Sequence, residues 1–297
     1  MFTMLLFLSI GVVAVALTAL LYKAYTNTRQ VMINRINVDI GPSYEDQFEA
    51  GKEINVLQLS DMHLENISIS PKQLYDKLKD EQIDLIALTG DFLDRKRSIP
   101  KLIPYLQVLN RLKAKYGIYA VFGNHDYVLK RQDFHSLKKL LEHYGCRTLQ
   151  NECDTIWING TTVNIIGIDD FSTERSQVGK SYKGVNRGYR LVLTHDPNIV
   201  LHMKNFHYDY LLSGHFHGGQ IHWPKPYHLV KMGKLVKMNM IKGLHVYDDK
   251  PFYISEGLGQ TGLNIRLGSR PEITIHRLPL PVPDLSISSR EKTQAAI

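Results

Sequence analysis

Five apolar segments of this sequence each run directly into a short polar cluster, and this repeated arrangement limits the possible folds most strongly. Short apolar runs bounded by turn residues are typical of buried strands. The polar clusters occupy residues 60–63, 90–95, 123–126, 194–196 and 213–220. In open α/β sheets, ligands bind outside the carboxyl ends of the strands. We therefore expect the five clusters to meet at one place.

Helical segments alternate with the predicted strands in the first half of the chain, and strands dominate the second half. Ser70 is a predicted N-cap, and Pro71 suits the first helical turn. Asn159 and Gly160 are a strong hairpin signal between two strands. The predicted strands are 54–59, 84–89, 117–122, 155–157, 162–168, 190–194, 208–212, 252–255 and 272–278, and the predicted helices are 71–80, 99–115 and 133–144. This pattern predicts an α/β fold.

Composition excludes several classes of protein. Hydrophobic residues make up 43% and charged residues 22% of the 297 residues, a balance that excludes a disordered chain, a collagen and a polytopic membrane protein. The two cysteines, Cys146 and Cys153, are too few for a disulfide scaffold or a cysteine-ligated zinc fold. The net charge of +7 favours an anionic partner, such as a phosphate ester, a membrane surface or nucleic acid.

The segment at residues 1–22 carries no charged side chain. A helix of this length is about 33 Å long, which is sufficient to cross a bilayer core. A cleaved signal peptide and a buried core helix are the alternatives, but a signal peptide normally has basic residues before its apolar run. We predict a transmembrane anchor at 1–23, a linker at 24–52 that contains one short strand-like stretch at 30–40, one domain at 53–280 and a disordered tail at 281–297.

The first basic residues after this segment are Lys23, Arg29 and Arg35. Basic residues concentrate at the cytoplasmic end of a membrane span. We therefore predict a single-pass protein of the cell membrane whose main domain lies in the cytoplasm.

The residue types in the five clusters are those that bind divalent metal ions. Aspartate, asparagine and neutral histidine together suit Mn, Fe, Zn or Co. Seven ligands are too many for one tetrahedral ion, but they suit two ions that share a ligand. The candidates are Asp61, His63, Asp91, Asn124, His195, His215 and His217. Glycines precede Asp91, Asn124 and His215, and we expect them to allow tight turns that expose the following side chain.

Each cluster alone has an ordinary structural explanation. An isolated Asp-x-His pair is usually structural, Gly-Asn-His-Asp is compatible with a simple turn, and Gly-His-x-His is compatible with a surface loop. The occurrence of all five in order, each at the end of a predicted strand, favours a metal site.

The motifs together resemble those of the calcineurin-like metallophosphoesterase superfamily. The resemblance covers about residues 54–278 and rests on Asp61-x-His63, Gly90-Asp91-x-x-Asp94, Gly123-Asn124-His125-Asp126, His195 and Gly214-His215-x-His217. The segments 218–221, 262–266 and 270–272 further resemble the bacterial membrane-associated phosphodiesterase branch. The resemblance implies two β-sheets packed face to face, with helices outside and the site in loops at one edge.

The resemblance also implies a division of the metal ligands. One ion would be held by the residues matching Asp61, His63, Asp91 and His217, and the other by those matching Asp91, Asn124, His195 and His215. In the family, the residue matching Asp94 orients the histidine that matches His125. That histidine is placed to protonate or stabilise the leaving oxygen. Asp126 is open to a second interpretation as a structural turn residue.

Two arginines are candidates for substrate binding. A guanidinium group can hold two phosphate oxygens at once, and Arg95 and Arg266 are near the motifs. A solvated surface arginine or an ion pair is the alternative for each. Basic and apolar residues also mix at 223–242, which suits an anionic membrane surface or a lipid phosphate, although a solvated loop explains the same pattern.

The expected activity is hydrolysis of phosphodiester or pyrophosphate bonds by a hydroxide that bridges two divalent ions. We expect a small-molecule or lipid phosphate of the membrane or cell envelope as the substrate, and no nucleic-acid partner. A nuclease of the same superfamily is the alternative, supported mainly by the net charge. An inactive metal-binding scaffold is disfavoured, because the sequence retains His125 and every expected ligand.

Overall fold

Strands and helices alternate in the computed structural model, which describes residues 2–38, 53–67, 69–222, 225–226, 229 and 231–281. The strands in these residues are β1 (Met32–Asn37), β2 (Glu53–Leu59), β3 (Leu85–Thr89), β4 (Ile118–Val121), β5 (Cys146–Thr148), β6 (Glu152–Ile158), β7 (Thr161–Gly167), β8 (Tyr189–Leu193), β9 (Tyr210–Ser213), β10 (Gly243–Tyr247), β11 (Lys250–Ile254) and β12 (Glu272–Pro279). The α-helices are α1 (Phe2–Asn27), α2 (Pro71–Leu78), α3 (Ile99–Arg111), α4 (Arg131–His143), α5 (Val178–Ser181) and α6 (Lys234–Lys237).

The strands form two mixed sheets of six strands each. The order is β1-β12-β2-β3-β4-β5 in the first sheet and β10-β11-β9-β8-β7-β6 in the second. The central strands β2, β3 and β4 are parallel, and so are β7, β8 and β9. The register pairs Leu59 with Leu88 and Leu193 with Leu212. The carboxyl ends that precede the polar clusters therefore lie side by side within each sheet.

Three hydrophobic clusters hold the layers together. Between the sheets, Val56 and Val121 of the first pack in one cluster with Ile165 and Leu191 of the second. The outer face of the first sheet packs against α2, α3 and α4. The outer face of the second packs against α6 and the segment Pro197–His202, which forms 3₁₀ turns. This arrangement confirms the predicted pair of face-to-face sheets flanked by helices.

Local sequence signals explain where several elements begin. Ser70 caps α2 by accepting a hydrogen bond from the backbone N–H of Gln73, and the Gln73 side chain accepts from the N–H of Ser70. Pro71 occupies the first turn of α2, as predicted. Asn159 and Gly160 both have positive φ, at 51° and 86°, which is the conformation that a two-residue hairpin loop requires.

The first helix has the length and composition of a membrane span. Its 26 residues correspond to about 39 Å of helix, and its apolar side chains are exposed from Phe2 to Leu21. A signal sequence has similar features. The buried residues of α1 are Ala24 and Asn27, at its C-terminal end.

The structure differs from the predicted linker at 24–52. Asn27 donates a side-chain hydrogen bond to the carbonyl of Arg266 (2.8 Å), and the N–H of Arg266 donates to the carbonyl of Ala24 (2.8 Å). β1 then pairs in parallel with β12 along its whole length. Residues 24–38 therefore belong to the folded domain. Residues 39–52 of the predicted linker and 282–297 of the predicted tail lie outside the described residues.

Two deletions test this boundary. Removal of residues 2–23 leaves Ala24, Asn27 and β1 in place, so we expect a soluble domain with a single cooperative thermal transition by circular dichroism. Removal of residues 2–37 also takes away β1 and leaves β12 as an open edge, which favours edge-to-edge aggregation. We expect the longer deletion to lower the melting temperature or to aggregate. Equal melting temperatures would contradict a structural role for β1.

Candidate metal centre

The structure brings the predicted metal ligands together at the carboxyl ends of five strands. The strands β2, β3 and β4 of the first sheet and β8 and β9 of the second each lead into one of the polar clusters. Six of the seven side chains are buried, and Asn124 is half-buried. The residues are Asp61, His63, Asp91, Asn124, His195, His215 and His217.

One group of potential ligand atoms lies around Asp61. The ligand atoms of Asp61, His63 and His217 lie within 4.8 Å of one another. Nε2 of His217 is 3.4 Å from Oδ1 of Asp61, and the rings of His63 and His217 have centroids 5.0 Å apart. These distances suit three donors that face a common point.

A second group lies around Asp91. Its Oδ2 is 3.1 Å from Nε2 of His195, and that atom is 3.2 Å from Nδ1 of His215. The same Oδ2 is 3.5 Å from Nε2 of His63, which belongs to the first group. Asp91 therefore lies between the two groups and contacts both.

Three buried polar atoms in this site have no hydrogen-bond partner in the described part of the chain. They are Nε2 of His63, Oδ1 of Asn124 and Nδ1 of His217. A buried polar atom without a partner is costly. Lone pairs of imidazole and amide oxygen beside carboxylates are a donor set that divalent metals accept. The residues present therefore fit metal ions.

Five of the candidate ligands adopt the left-handed backbone conformation. The φ angles are 49° at Asp61, 38° at His63, 55° at Asp91, 76° at His215 and 50° at His217. Aspartate and histidine are among the few non-glycine residues that tolerate this region. Such strain clusters at functional sites, where the surrounding structure maintains it.

The glycines before three ligands act in two different ways. Gly90 has φ of 86° and makes the tight turn that we predicted before Asp91. Gly123 and Gly214 are needed for space instead. A Cβ atom on Gly123 would lie 2.2 Å from Oδ1 of Asp91, and one on Gly214 would lie 2.2 Å from Oδ2 of Asp61. At these two positions the structure needs glycine because a side chain would collide with a ligand carboxylate.

Neighbouring groups orient the candidate ligands. Nδ1 of His195 is 2.8 Å from the carbonyl oxygen of Thr89. Donation to that oxygen orients the ring so that Nε2 faces Asp91 and the site interior. Ser60 donates to Oδ2 of Asp61 (2.6 Å). The sequence analysis gave neither residue this role, although Ser60 opens the polar cluster 60–63 and Thr89 is the last residue of a predicted strand.

A buried polar network lies beneath the site and joins the two sheets. The amide of Gln58 donates to Oγ1 of Thr89 (3.0 Å) and to the carbonyl of Ser213 (2.9 Å). His276 lies between Gln58 and the hydroxyl of Tyr210, at 3.0 Å from each. Burial lowers the pKa of His276 to about 3, so this ring is neutral. The network ties Thr89, and through it His195, to both sheets.

Asp94 bridges two histidines at the edge of the site. Its Oδ1 is 2.8 Å from Nδ1 of His63 and 3.0 Å from Nδ1 of His125. Burial alone lowers the pKa of His125, but the hydrogen bond to Asp94 and the charge of Asp91 outweigh it and raise the pKa to about 9. In the metal-free protein His125 is therefore protonated near neutral pH, and it keeps partial solvent exposure.

The interpretation of Asp126 as a structural turn residue fits the structure. Its fully buried carboxylate accepts backbone hydrogen bonds from Asp91 (2.9 Å), Phe92 (2.9 Å) and Gly123 (3.0 Å). Asp126 therefore fixes two of the loops against each other, with both oxygen atoms occupied.

The ionisation of the remaining groups follows from their burial and neighbours. Burial alone raises the pKa of Asp91, but the adjacent His195 and His63 outweigh it and hold this pKa well below its ordinary value. Burial lowers the pKa of His215 and His217, so both rings are neutral. Neutral imidazole is the form that binds metal.

The two arginine candidates occupy very different places. Arg95 is exposed, and its backbone N–H donates to Glu65 (3.0 Å). The guanidinium of Arg266 is fully buried and donates to the carbonyls of Glu256 (2.8 Å) and Gly259 (2.7 Å), among others. Arg266 is thus occupied by its own backbone contacts, contrary to the prediction that it binds substrate phosphate. Burial lowers its pKa to about 10.

The fold and this constellation define a metal-dependent phosphoric ester hydrolase. The sequence matches the family Metallophos, calcineurin-like phosphoesterase, over residues 54–219. The match covers more than half of the chain and includes every candidate metal ligand. The chain belongs to the calcineurin-like phosphoesterase family.

Several relatives are similar along most of the chain. The metallophosphoesterase YkoQ of Bacillus subtilis is 64% identical over 278 residues, which cover 94% of this chain and all of the relative. The metallophosphoesterase YkuE of the same organism is 27% identical and covers 75% of this chain and 78% of the relative. The UDP-2,3-diacylglucosamine pyrophosphatase LpxG of Chlamydia trachomatis is 25% identical over 279 residues, which cover 75% of this chain and 83% of the relative.

Replacement of Arg266 by methionine tests its structural role. The substitution leaves several buried carbonyls without a donor, at a cost of about 1–3 kcal/mol for each such group. We expect the free energy of unfolding in urea to fall by about 3–5 kcal/mol in the domain that lacks residues 2–23. The exposed Arg95→Met is the matched control and should change stability by less than about 0.5 kcal/mol. If the Arg266→Met variant is as stable as the wild type but has a raised KM, Arg266 binds substrate and its structural role is contradicted.

Proposed function

We propose that this chain is a membrane-anchored phosphohydrolase that uses two divalent metal ions to cleave phosphodiester or pyrophosphate bonds in a lipid or cell-envelope phosphate. The observation that carries the proposal is the set of buried, unpartnered donor atoms on His63, Asn124 and His217. Nε2 of His63 lies 3.5 Å from Oδ2 of the buried Asp91, and the second ring nitrogen of His217, Nε2, lies 3.4 Å from Oδ1 of the buried Asp61. Buried polar atoms without partners are costly in a metal-free protein, and this cost supports a metal-binding role.

We assign each ion to one of the two groups of ligands. Asp61, His63, Asp91 and His217 would hold one ion, and Asp91, Asn124, His195 and His215 would hold the other. The position of Asp91 between the groups supports its role as the shared ligand. Oxygen and imidazole donors without cysteine suit Mn, Fe, Zn or Co.

The chemistry that such ions supply is neutralisation of phosphate charge and activation of water. His125 is the proposed general acid, because its ring is partly exposed and follows the candidate ligand Asn124 directly in the chain. Asp94 holds Nδ1 of His125, which leaves Nε2 free to give its proton to the leaving oxygen. Arg95 is the proposed contact for a phosphate oxygen, since it is exposed on the segment that follows Asp91 and Asp94.

Three observations support a lipid substrate. LpxG, a relative, is named a pyrophosphatase of a diacylated sugar nucleotide. Leu263 is an exposed apolar residue whose carbonyl accepts a hydrogen bond from the side chain of Gln220. Gln220 follows the candidate ligand His217 by three residues, so an apolar side chain is available near the metal centre. Helix α1 provides an anchor that would keep the domain near a bilayer.

Lys23 and Arg29 after the span favour a cytoplasmic domain.

A substrate panel tests the proposed reaction. The full chain in detergent, loaded with Mn, would be assayed on bis-p-nitrophenyl phosphate, p-nitrophenyl phosphate, a nucleoside-diphosphate lipid and single-stranded DNA. We expect hydrolysis of the diester and the pyrophosphate lipid, with loss of activity in chelator. Preference for single-stranded DNA would favour a nuclease instead.

Asp91→Asn tests the shared ligand. A neutral amide cannot bridge two cations as a carboxylate does, so we expect both metal content and activity to fall together. Metal per chain would be measured by inductively coupled plasma mass spectrometry. The same change at the exposed Asp80 is the matched control and should leave both unchanged. Two ions still bound per Asp91→Asn chain would contradict the assignment.

His125→Asn tests the general acid. Metal content should be retained, while turnover should fall by about 10²–10⁴-fold on esters with poor leaving groups. The loss should be much smaller on p-nitrophenyl esters, whose leaving group needs no proton. His135→Asn, on the exposed surface of α4, is the matched control. An equal loss of turnover on both kinds of ester would show that His125 does not act as the proton donor.

A further inference from the structure

A cavity of about 360 Å³ lies where the end of α1 meets the folded domain. Lys23 and Asn27 line it from α1, and Lys242, Glu256 and Arg270 line it from the domain. We call it the α1 cavity. None of the candidate metal ligands lines it, so it is distinct from the metal centre.

The α1 cavity carries a net positive charge. The ammonium of Lys242 is paired with Glu256 (3.2 Å) and also donates to the carbonyl of Gly268 (3.1 Å). The side chains of Lys23 and Arg270 have no carboxylate partner in the part of the chain that the structure describes. Two cationic groups are therefore available to an anion.

The position of Lys23 along α1 determines how deep in a membrane the α1 cavity would lie. From Phe2 to Lys23 the helix rises about 32 Å, which is close to the thickness of the bilayer hydrocarbon core. The aromatic side chains of Tyr22 and Tyr25 next to Lys23 are 70% and 39% exposed. Exposed tyrosines mark the interface between hydrocarbon and headgroups. A membrane-spanning α1 thus puts the cavity at the level of the lipid phosphates.

We propose that the α1 cavity binds the phosphate of an anionic phospholipid headgroup as a bound partner that is not hydrolysed. This inference rests on the membrane anchoring in the proposed function. Lys23 and Arg270 would donate to the phosphate oxygens, and a guanidinium can hold two of them. The acyl chains would follow the exposed apolar surface of α1 that ends at Leu21.

A lipid bound here would stabilise the loop beside Asp61 through hydrogen bonds that involve Arg266. The backbone of Arg266 is bonded to Ala24 and Asn27 of α1, and its guanidinium donates to the carbonyl of Gly259. The N–H of Gly259 in turn donates to the carbonyl of Asp61 (2.7 Å). The headgroup would therefore fasten α1 to the same loop that supports a metal ligand.

Lipid binding by a charge variant tests the proposal. Native mass spectrometry of the full chain in detergent would measure adducts with phosphatidylglycerol and with phosphatidylcholine. We expect preference for phosphatidylglycerol, and about 30-fold weaker binding in the Lys23→Gln/Arg270→Gln variant, because each cation near an anionic lipid contributes about 1 kcal/mol. Arg131→Gln/Lys139→Gln removes the same charge from the exposed surface of α4 and should bind normally.

Further measurements separate folding, reaction and ligand source. In lipid-free detergent, the melting temperature and the hydrolysis of bis-p-nitrophenyl phosphate should be the same in both double variants, because no lipid is bound there and neither variant changes a residue of the metal centre. An unaltered preference for phosphatidylglycerol in Lys23→Gln/Arg270→Gln would overturn the proposal, even if hydrolysis fails in every variant. Equal losses in the α4 control would also overturn it. Soluble glycerol phosphate that binds more tightly than the lipid would exclude a lipid headgroup as the ligand.

Discussion

The burial of two carboxylates, Asp61 and Asp91, at the meeting point of five strands is the constraint on which the rest of the site depends. An ionised carboxylate removed from water is costly unless charges or hydrogen bonds compensate it. Here the backbone N–H groups of His215 and His125 donate to them, at 3.1 and 2.8 Å. Without a cation, His195 supplies positive charge, because the burial that lowers its pKa is outweighed by Asp91, which raises it well above the ordinary value. The site is thus preorganised for cations.

This compensation needs a backbone that few residues tolerate. Five ligand positions are left-handed, and at two of the preceding glycines a Cβ atom would collide with a ligand carboxylate. Such conformations cost about 1–3 kcal/mol each and persist only when the surroundings fix them. Asp126 and the Gln58–His276 network provide that support through buried hydrogen bonds to the loops and to the strands that lead into them. The core between the sheets therefore includes polar groups that fix the loops of the metal centre, in addition to the apolar groups that stabilise the fold.

The sequence was most informative where apolar strands stop. The strands around the site were predicted because burial on both faces makes them nearly continuous apolar runs, and the polar residue types at their ends indicated metal. Short or exposed elements gave no such signal. β5 has three residues, and Leu244 and Val246 of β10 are exposed at a sheet edge. Arg266 was misread because a sequence motif shows that an arginine is near a site, but not whether its donors already have partners.

The link between α1 and the loop beneath Asp61 affects how this enzyme would meet a substrate. Ala24 and Asn27 hold Arg266, whose guanidinium holds the loop at Gly259. If α1 spans a bilayer, as proposed, a domain attached to it by these hydrogen bonds has little freedom to move away from the membrane. An enzyme held in this way would meet the proposed lipid substrate by lateral diffusion in two dimensions. Its rate would then follow the mole fraction of substrate in the membrane, and inert lipid would act as a competitor by surface dilution.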